Sequence, residues 1–260
     1  MKLLHSRDRL LVQVHPSKEM AKKYFASPFG KVEAWYVLDV SPETRAVIYA
    51  GFKPWVTREL FEELIRAQDT QRILECLHCF EVKAGDVIYI APGLPHALGA
   101  GFLVAEIQEP TDITLRAERI RPDGTVLPEQ SLHSGIGYEG LLDCFSFRGA
   151  DWQTIAEQIF VRPKVLSDTG TASERLLIGG EQTPCFSMRL TEVRAGARQT
   201  RKNQGFSVGI LLEGDGTFIW DGDHSLPIHK GTEFFLPHGL QAYQYHANQN
   251  LKILECYPPL

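Results

Sequence analysis

The hydrophobic positions of this chain are spaced mostly as they are in β-strands. Short apolar runs rich in valine, isoleucine and aromatic residues alternate with turn residues. In the first half these runs predict strands at 10–15, 32–38, 46–49, 87–90 and 102–107. Amphipathic stretches at 58–65 and about 70–77 predict helices, and a shorter helix follows Pro16. Short strands with one small helical insertion favour a jelly roll over an α/β sheet.

The second half of the chain is again rich in predicted strands and weakly repeats the first. Gly85 and Gly93 enclose an apolar run, and Gly231 and Gly239 enclose another with the same spacing. A tight hairpin is predicted around Gly214-Asp-Gly216. The repeat predicts a mainly β protein with two jelly-roll barrels, divided as 1–125 with a helical insertion near 57–77, a connecting segment 126–160, and 161–260.

Composition and charge narrow the classes of function. The formal net charge of −5 over 260 residues gives no reason to expect nucleic acid or an anionic membrane as a partner. The five cysteines are odd in number and scattered, which argues against a secreted disulfide framework. No signal peptide or spanning segment is evident, so we expect a cytoplasmic protein.

Four polar residues at the ends of predicted strands suggest a metal site. Gln13 and His15 stand two apart in an apolar run, which places them on one face of a strand. Glu33 begins the next apolar run, and His96 ends a turn rich in proline and glycine. Imidazole, carboxylate and amide oxygen suit a divalent ion such as zinc, with positions left for a substrate.

The segments that carry these residues resemble a known family. The four segments, in order, are Gln13-Val-His-Pro16, Gly30-Lys-Val-Glu-Ala-Trp-Tyr-Val-Leu38, Lys83 to Ala97, and Glu106 to Arg116. Together they resemble type I mannose-6-phosphate isomerases, also called phosphomannose isomerases, which are metal-dependent members of the cupin superfamily of jelly-roll barrels. The resemblance is close over roughly the first half of the chain and holds only in outline over the second.

The resemblance implies a cofactor, a substrate and a reaction. The cofactor is zinc or another divalent metal ion, and the implied ligands are Gln13, His15, Glu33 and His96. The substrate is a small sugar phosphate, mannose 6-phosphate, which is isomerised to fructose 6-phosphate. In that reaction a proton moves from C2 to C1 through a cis-enediol.

The resemblance also implies three catalytic residues, Arg116, Lys31 and Asp112. The guanidinium of Arg116 would meet the phosphate or the developing negative oxygen, since its fork of donors suits either. Lys31 precedes Glu33 by two residues, so it faces the same side of the strand. The base remains open between Lys31, Asp112 and a water bound to the ion.

The second barrel is expected to lack the metal ligands. Carrying the glycine register forward places Ala242 where the first half has His96. The same comparison places Ser207 where the first half has Glu33. The second barrel is therefore interpreted as a structural cupin without an ion.

Rival interpretations follow from one departure from the family. Members of the family begin with further strands before the segment that matches residues 3–15, and this chain starts at Met1. A missing stretch would expose strand edges, so activity is in doubt and a homodimer is one expectation. The alternative function is a non-catalytic metal-binding cupin that binds a sugar or sugar phosphate. A second rival is an oxygen-using cupin with iron or manganese.

Overall fold

A computed structural model describes residues 1–203, 205–222 and 224–259. The described chain is mainly β, as predicted. It divides into two compact units, Lys2–Val161 and Met1 with Arg162–Leu260. No helix in these described ranges is long and apolar enough to cross a membrane.

The first unit is a barrel of two antiparallel sheets with helices outside it. Its strands are β1 (Lys2–Ser6), β2 (Gln13–Val14), β3 (Glu33–Val40), β4 (Val47–Phe52), β5 (Leu77–Glu81), β6 (Val87–Ile90), β7 (His96–Leu98), β8 (Phe102–Gln108) and β9 (Leu115–Arg116). Its helices are α1 (Lys18–Phe25), α2 (Arg58–Ala67), α3 (Thr70–Glu75), α4 (Gln130–His133), α5 (Gly137–Asp143) and α6 (Trp152–Ile159). The sheet orders are β1-β8-β3-β6 and β5-β4-β7-β2-β9. We call these two sheets the first barrel.

Because side chains alternate along a strand, the two faces of the second sheet pack against different apolar cores. One face contributes Ile48 and Leu98 to the apolar barrel core. The other contributes Val12, Val14 and Leu115 to a second apolar core shared with the helices. Successive side chains on a strand alternate between its faces. Gln13, between the two valines, and Arg116, next to Leu115, therefore point into the barrel.

The helices α2 and α3 occupy the stretch where the sequence predicts helix. The side chain of Thr57 accepts a hydrogen bond from the backbone N–H of Leu60 and caps α2, as its position predicts. Phe61, Leu64 and Ile65 form the buried face of α2. This face packs into the helical core and supports the sheet that carries β2.

The strand predicted at 10–15 is much shorter than expected. Only Gln13–Val14 forms a strand, β2. The backbone N–H of Val12 donates to the carboxylate of Glu118 at 2.6 Å instead of to a neighbouring strand. A side chain thus replaces a ladder bond just before the predicted metal ligands.

The second unit contains strands only, among its described residues. They are β10 (Lys164–Asp168), β11 (Ala172–Ile178), β12 (Ser187–Val193), β13 (Arg198–Lys202), β14 (Ser207–Glu213), β15 (Asp215–Trp220), β16 (His224–His229), β17 (Glu233–Leu236), β18 (Ala242–Ala247) and β19 (Leu251–Tyr257). The sheet orders are β10-β11-β12-β19-β14-β17 and β13-β18-β15-β16, and we call them the second barrel. Aromatic and aliphatic side chains such as Phe218, Tyr245 and Ile253 fill its core.

The predicted hairpin at Gly214-Asp-Gly216 is wrong. Strand β14 pairs with β17 and β19, whereas β15 pairs with β16 and β18 in the other sheet. Gly214 has a φ of +83°, and a Cβ there would lie 2.1 Å from the carbonyl oxygen of Asn250. The glycine therefore marks a corner where the chain passes between sheets, not a turn between paired strands.

Candidate metal centre

Three of the predicted ligands converge inside the first barrel. The ligand atoms of His15, Glu33 and His96 all lie within 4.8 Å of one another. Each imidazole Nε2 lies 3.3 Å from an oxygen of the Glu33 carboxylate. All three side chains are buried. Among the described residues, no other group of three or more histidine, cysteine or acidic side chains converges in this way.

Gln13 lies beside this cluster. Its backbone pairs with His96 on one side and with Arg116 on the other, so the three side chains share one face of the sheet. The side-chain amide nitrogen of Gln13 lies 3.1 Å from Nε2 of His96. The amide is therefore within reach of the cluster and could offer its oxygen as a fourth ligand.

Backbone carbonyls orient both imidazoles. Nδ1 of His15 lies 3.0 Å from the carbonyl oxygen of Ile113, and Nδ1 of His96 lies 2.9 Å from that of Leu94. A carbonyl can only accept, so each Nδ1 carries the proton and each Nε2 presents a lone pair to the cluster. Histidine ligands of metals are held in this way, with the second nitrogen bonded to a carbonyl or carboxylate.

The electrostatics of the cluster favour a bound cation. Burial opposes the ionisation of Glu33, and Nζ of Lys31, 2.7 Å from Oε2, compensates the charge of its carboxylate. Burial lowers the pKa of His15 to about 4, so its imidazole is neutral at pH 7. One carboxylate oxygen of Glu33, Oε1, is buried without a hydrogen-bond partner. A buried and partly unsatisfied carboxylate beside two imidazoles fits a divalent ion.

Lys31 already supplies one positive charge to the cluster. Its Nζ lies 2.7 Å from Oε2 of Glu33 and 3.0 Å from Nε2 of His15. The side chain is buried with them. The structure therefore brings Lys31 together with the predicted ligands, as its position two residues before Glu33 indicates.

Arg116 and Asp112 occupy different surroundings. Arg116 is half-buried in the row with Gln13, and its Nη1 donates to the carbonyl of Ser131 at 3.3 Å. Burial lowers the pKa of Arg116, and the nearby positive charge of Arg121 lowers it further. Asp112 lies at the rim with 80% of its side chain exposed. It accepts from Nζ of Lys2 at 2.7 Å, and this bond lowers its pKa.

Two residues near the cluster, Lys2 and Glu106, were not identified as site residues from the sequence. They are paired across β1 and β8, with Nζ of Lys2 3.8 Å from the carboxylate of Glu106. The same carboxylate accepts from the indole N–H of Trp35 at 3.2 Å. Burial and the charge of Glu33 raise the pKa of Glu106. A charged residue inside the apolar run 102–107 was the available signal.

The strand registers show what the second barrel has at these positions. Glu33 pairs with Ile90 of β6, and Ser207 pairs with Leu236 of β17, so Ser207 does correspond to Glu33. The match of Ala242 with His96 is wrong.

The inward residue of β18 is Tyr243, which is buried in the barrel core, whereas Ala242 is exposed. His96 follows Gly93 by three positions, but Tyr243 follows Gly239 by four. Because of this extra loop residue, Tyr243 rather than Ala242 points into the second barrel. Tyr243 pairs with Arg201, which therefore stands where the first barrel has Gln13.

The two barrels give the chain a cupin-like β fold, and the buried cluster of His15, Glu33 and His96 places a candidate metal centre in the first of them. No protein-family model matches the chain. Mannose-6-phosphate isomerase ManA of Bacillus subtilis is 28% identical over 246 residues, which are 94% of this chain and 70% of that protein.

Solved structures give the same fold. The crystal structure of the mannose 6-phosphate isomerase from Bacillus subtilis matches with a TM-score of 0.76 at 21% identity, over 98% of this chain and 73% of that one. A zinc-bound mannose 6-phosphate isomerase matches with a TM-score of 0.72 at 15% identity, over 99% and 78%. The predicted resemblance and the cupin fold are confirmed: the chain is similar to mannose-6-phosphate isomerases over most of its length.

Proposed function

We propose that this chain is a metal-dependent aldose–ketose isomerase that interconverts mannose 6-phosphate and fructose 6-phosphate. The observation that carries the proposal is the buried cluster of His15, Glu33 and His96, with cationic and acidic side chains around it. The curated relatives named mannose-6-phosphate isomerase supply the substrate.

His15, Glu33, His96 and the amide oxygen of Gln13 would hold the ion. Zinc is the first candidate, because the holo neighbour binds zinc and because imidazole and carboxylate are common zinc ligands. When bound, the ion would stabilise negative charge on O1 and O2 of the sugar. The pKa of His15, about 4, keeps this ligand available at neutral pH.

Proton transfer needs a base with access to C2 and a pKa not far below neutral. The pKa of Glu106 is raised by burial and by Glu33, whereas that of the exposed Asp112 is lowered by Lys2. Glu106 also lies inside the barrel, beside Trp35 and Lys2, whereas Asp112 is exposed at the rim. On this placement we assign the base to Glu106 and give Asp112 the role of holding Lys2. Asp112 remains a contributor to the site through that contact.

The reaction would proceed in two proton transfers on carbon. Glu106 takes the proton from C2 of the aldose, and the bonding electrons form the C1–C2 double bond of the cis-enediol. Glu106 then returns the proton to C1, which gives the ketose. Between these steps the hydroxyl at O2 loses a proton and O1 gains one. Lys31, which is buried against His15 and Glu33, would carry this proton between the oxygens.

Arg116 would bind the phosphate. It shares a face with Gln13, and Arg121 places a second positive charge near it. A bidentate guanidinium suits a phosphate dianion. The overall charge of the chain is negative, so attraction of the substrate must come from this local pair.

A coupled assay with mannose 6-phosphate tests the proposal. Zinc-loaded protein should form fructose 6-phosphate, and protein stripped by a chelator should not. Glu106→Gln, which keeps the shape of the side chain, should lose turnover while still binding zinc. Binding of the sugar phosphate without turnover by loaded wild-type protein would favour the non-catalytic alternative.

A further inference from the structure

The strand that carries the metal ligands is too short to fix its own position. β2 contains only Gln13 and Val14. The chain before and after it is held by few backbone bonds: Leu10 N–H to the carbonyl of Leu98 and Gly93 N–H to the carbonyl of His15, both 2.9 Å, and Ala117 N–H to the carbonyl of Val12 at 2.8 Å. Something else must hold Gln13 in register, because a slip of one residue would turn it to the opposite face.

A buried ion pair lies at this point. The carboxylate of Glu118 is fully buried and accepts two bonds from the guanidinium of Arg9, at 2.7 and 2.9 Å. It also accepts the backbone N–H of Val12 at 2.6 Å. Nη1 of Arg9 donates in addition to the carbonyl of Leu10 at 2.8 Å. One carboxylate thus ties together residues 9, 10 and 12.

These bonds extend the pairing of β2 with β9. Gln13 pairs with Arg116, and the next bond along is from Ala117 N–H to the carbonyl of Val12 at 2.8 Å. The bond from Val12 N–H to Glu118 then closes the pairing one residue further, through a side chain. Val12 is fully buried, so without Glu118 its N–H would have no acceptor.

We propose that Arg9 and Glu118 are a positioning pair for the metal centre, which fixes the amide of Gln13 beside His96 and the guanidinium of Arg116 beside Gln13. The proposal rests on the proposed function for the ion and the substrate. Neither residue touches the cluster, so both act through the backbone of β2 and β9. A buried ion pair often adds little stability over an apolar pair, and holding a register is its better-attested use.

The decisive measurement is metal affinity in folded protein. Glu118→Gln keeps an acceptor for Val12 but removes the charge that holds Arg9. We expect its affinity for zinc, measured by competition with a chromogenic chelator, to fall by about 10- to 100-fold, as loss of outer partners of metal ligands does. Arg9→Met should give the same loss.

The matched control is Glu174→Gln in the second unit. Glu174 likewise accepts from a buried arginine, Arg201, at 2.7 Å. This variant should lose stability without losing zinc affinity. Equal zinc affinity in Glu118→Gln and wild type, or an equal loss in Glu174→Gln, would overturn the proposal.

A second measurement separates this proposal from the proposed function. Hydrogen exchange of the metal-free protein should become faster in a peptide covering residues 10–16 of Glu118→Gln, and of Arg9→Met if the first variant does not fold. It should stay unchanged there in Glu174→Gln. If wild-type protein bound no zinc, the proposed function would fail while faster exchange still supported the positioning role; unchanged exchange would overturn that role directly.

Discussion

The two barrels both bury glutamate carboxylates but differ in the positive charge that lies near them. Each buries a glutamate at the same strand position, Glu106 paired with Trp35 in the first and Glu255 paired with Gly209 in the second. The first barrel adds Glu33 and two imidazoles, and one oxygen of the Glu33 carboxylate, Oε1, is buried without a hydrogen-bond partner. The second barrel has Ser207 at the position of Glu33. Its interior therefore needs less positive charge.

In the second barrel the positive charge beside the buried glutamate belongs to a side chain of the protein, the guanidinium of Arg201. Arg201 donates to Thr191 at 2.6 Å, to Glu174 at 2.7 Å and to the hydroxyl of Tyr257 at 3.2 Å. Its Nη1 also lies 3.6 Å from the carboxylate of Glu255. Although burial lowers the pKa of Arg201, Glu255 and the other partners raise it overall. A tethered guanidinium gives a permanent structure, whereas a cluster open to an exchangeable ion can use that ion for chemistry.

Replacing Glu33 and replacing its counterpart in the second barrel should differ most in their effects on zinc affinity and turnover. Glu33→Gln removes the only charged ligand of the cluster. We expect its zinc affinity to fall by more than the ~100-fold that the loss of an outer partner costs, and turnover to fall with it. Ser207→Ala, at the same position in the second barrel, should change neither. Zinc titration and the coupled assay measure both; a zinc-binding, active Glu33→Gln variant would place the metal elsewhere.

Removing the tethered cation should destabilise the second unit without affecting the metal. Arg201→Met leaves the buried Glu255 without its guanidinium, whereas Glu174 keeps its contact with Arg189. Breaking such a pair on one side costs about 3–5 kcal/mol in the free energy of unfolding. Urea unfolding measures this cost, and zinc affinity should match that of wild type. A loss below about 1 kcal/mol would mean that water or another side chain compensates these carboxylates.

Arg116 should matter more for turnover than for folding. If it binds phosphate, Arg116→Ala should lower kcat/KM by an amount equivalent to about 2–4 kcal/mol. Its structural bond to the carbonyl of Ser131 is long, so the variant should lose about 1 kcal/mol or less of stability. Arg175→Ala, which breaks an exposed ion pair with Glu192 in the second unit, is the control. Early melting with full activity would make Arg116 a structural residue.

The convergence of His15, Glu33 and His96 could be predicted from the sequence because strand alternation and family resemblance agreed. Gln13 and His15 lie on one side of the chain although only the first is in a strand, since Glu118 and Gly93 hold the backbone extended there. Glu106 could have been found from the internal repeat: the apolar strands β8 and β19 each contain one glutamate, Glu106 and Glu255.

What the sequence could not give depends on pairings between distant strands. The corner at Gly214 looks like a hairpin turn until the partners of β14 and β15 are known. Ala242 was matched with His96 in place of Tyr243, because one extra residue in a loop reverses every face that follows it. Lys2 belongs to the site only through its register opposite Glu106, and no local pattern predicts that register.

The smallest effect concerns the helices, which the first unit has and the described residues of the second lack. Asp143 at the end of α5 accepts from Tyr24 and Lys23 of α1 at 2.5 and 3.0 Å and from Arg58 of α2 at 2.9 Å. These partners, Tyr24 first, lower its pKa to about 2. The unfolded carboxyl titrates near 3.8, so the contribution of Asp143 to stability is fully present above about pH 4 and is lost as the pH falls through 2. The site is partly exposed, and screening reduces the contribution to about 1 kcal/mol.

Asp143→Asn should therefore be less stable than wild type by about that amount at pH 7 in urea unfolding, and the difference should shrink towards pH 2. Asp168→Asn, at the exposed end of β10 in the second unit, is the control. A difference that stayed constant with pH would mean that the lost contacts are of packing and hydrogen bonding rather than of charge.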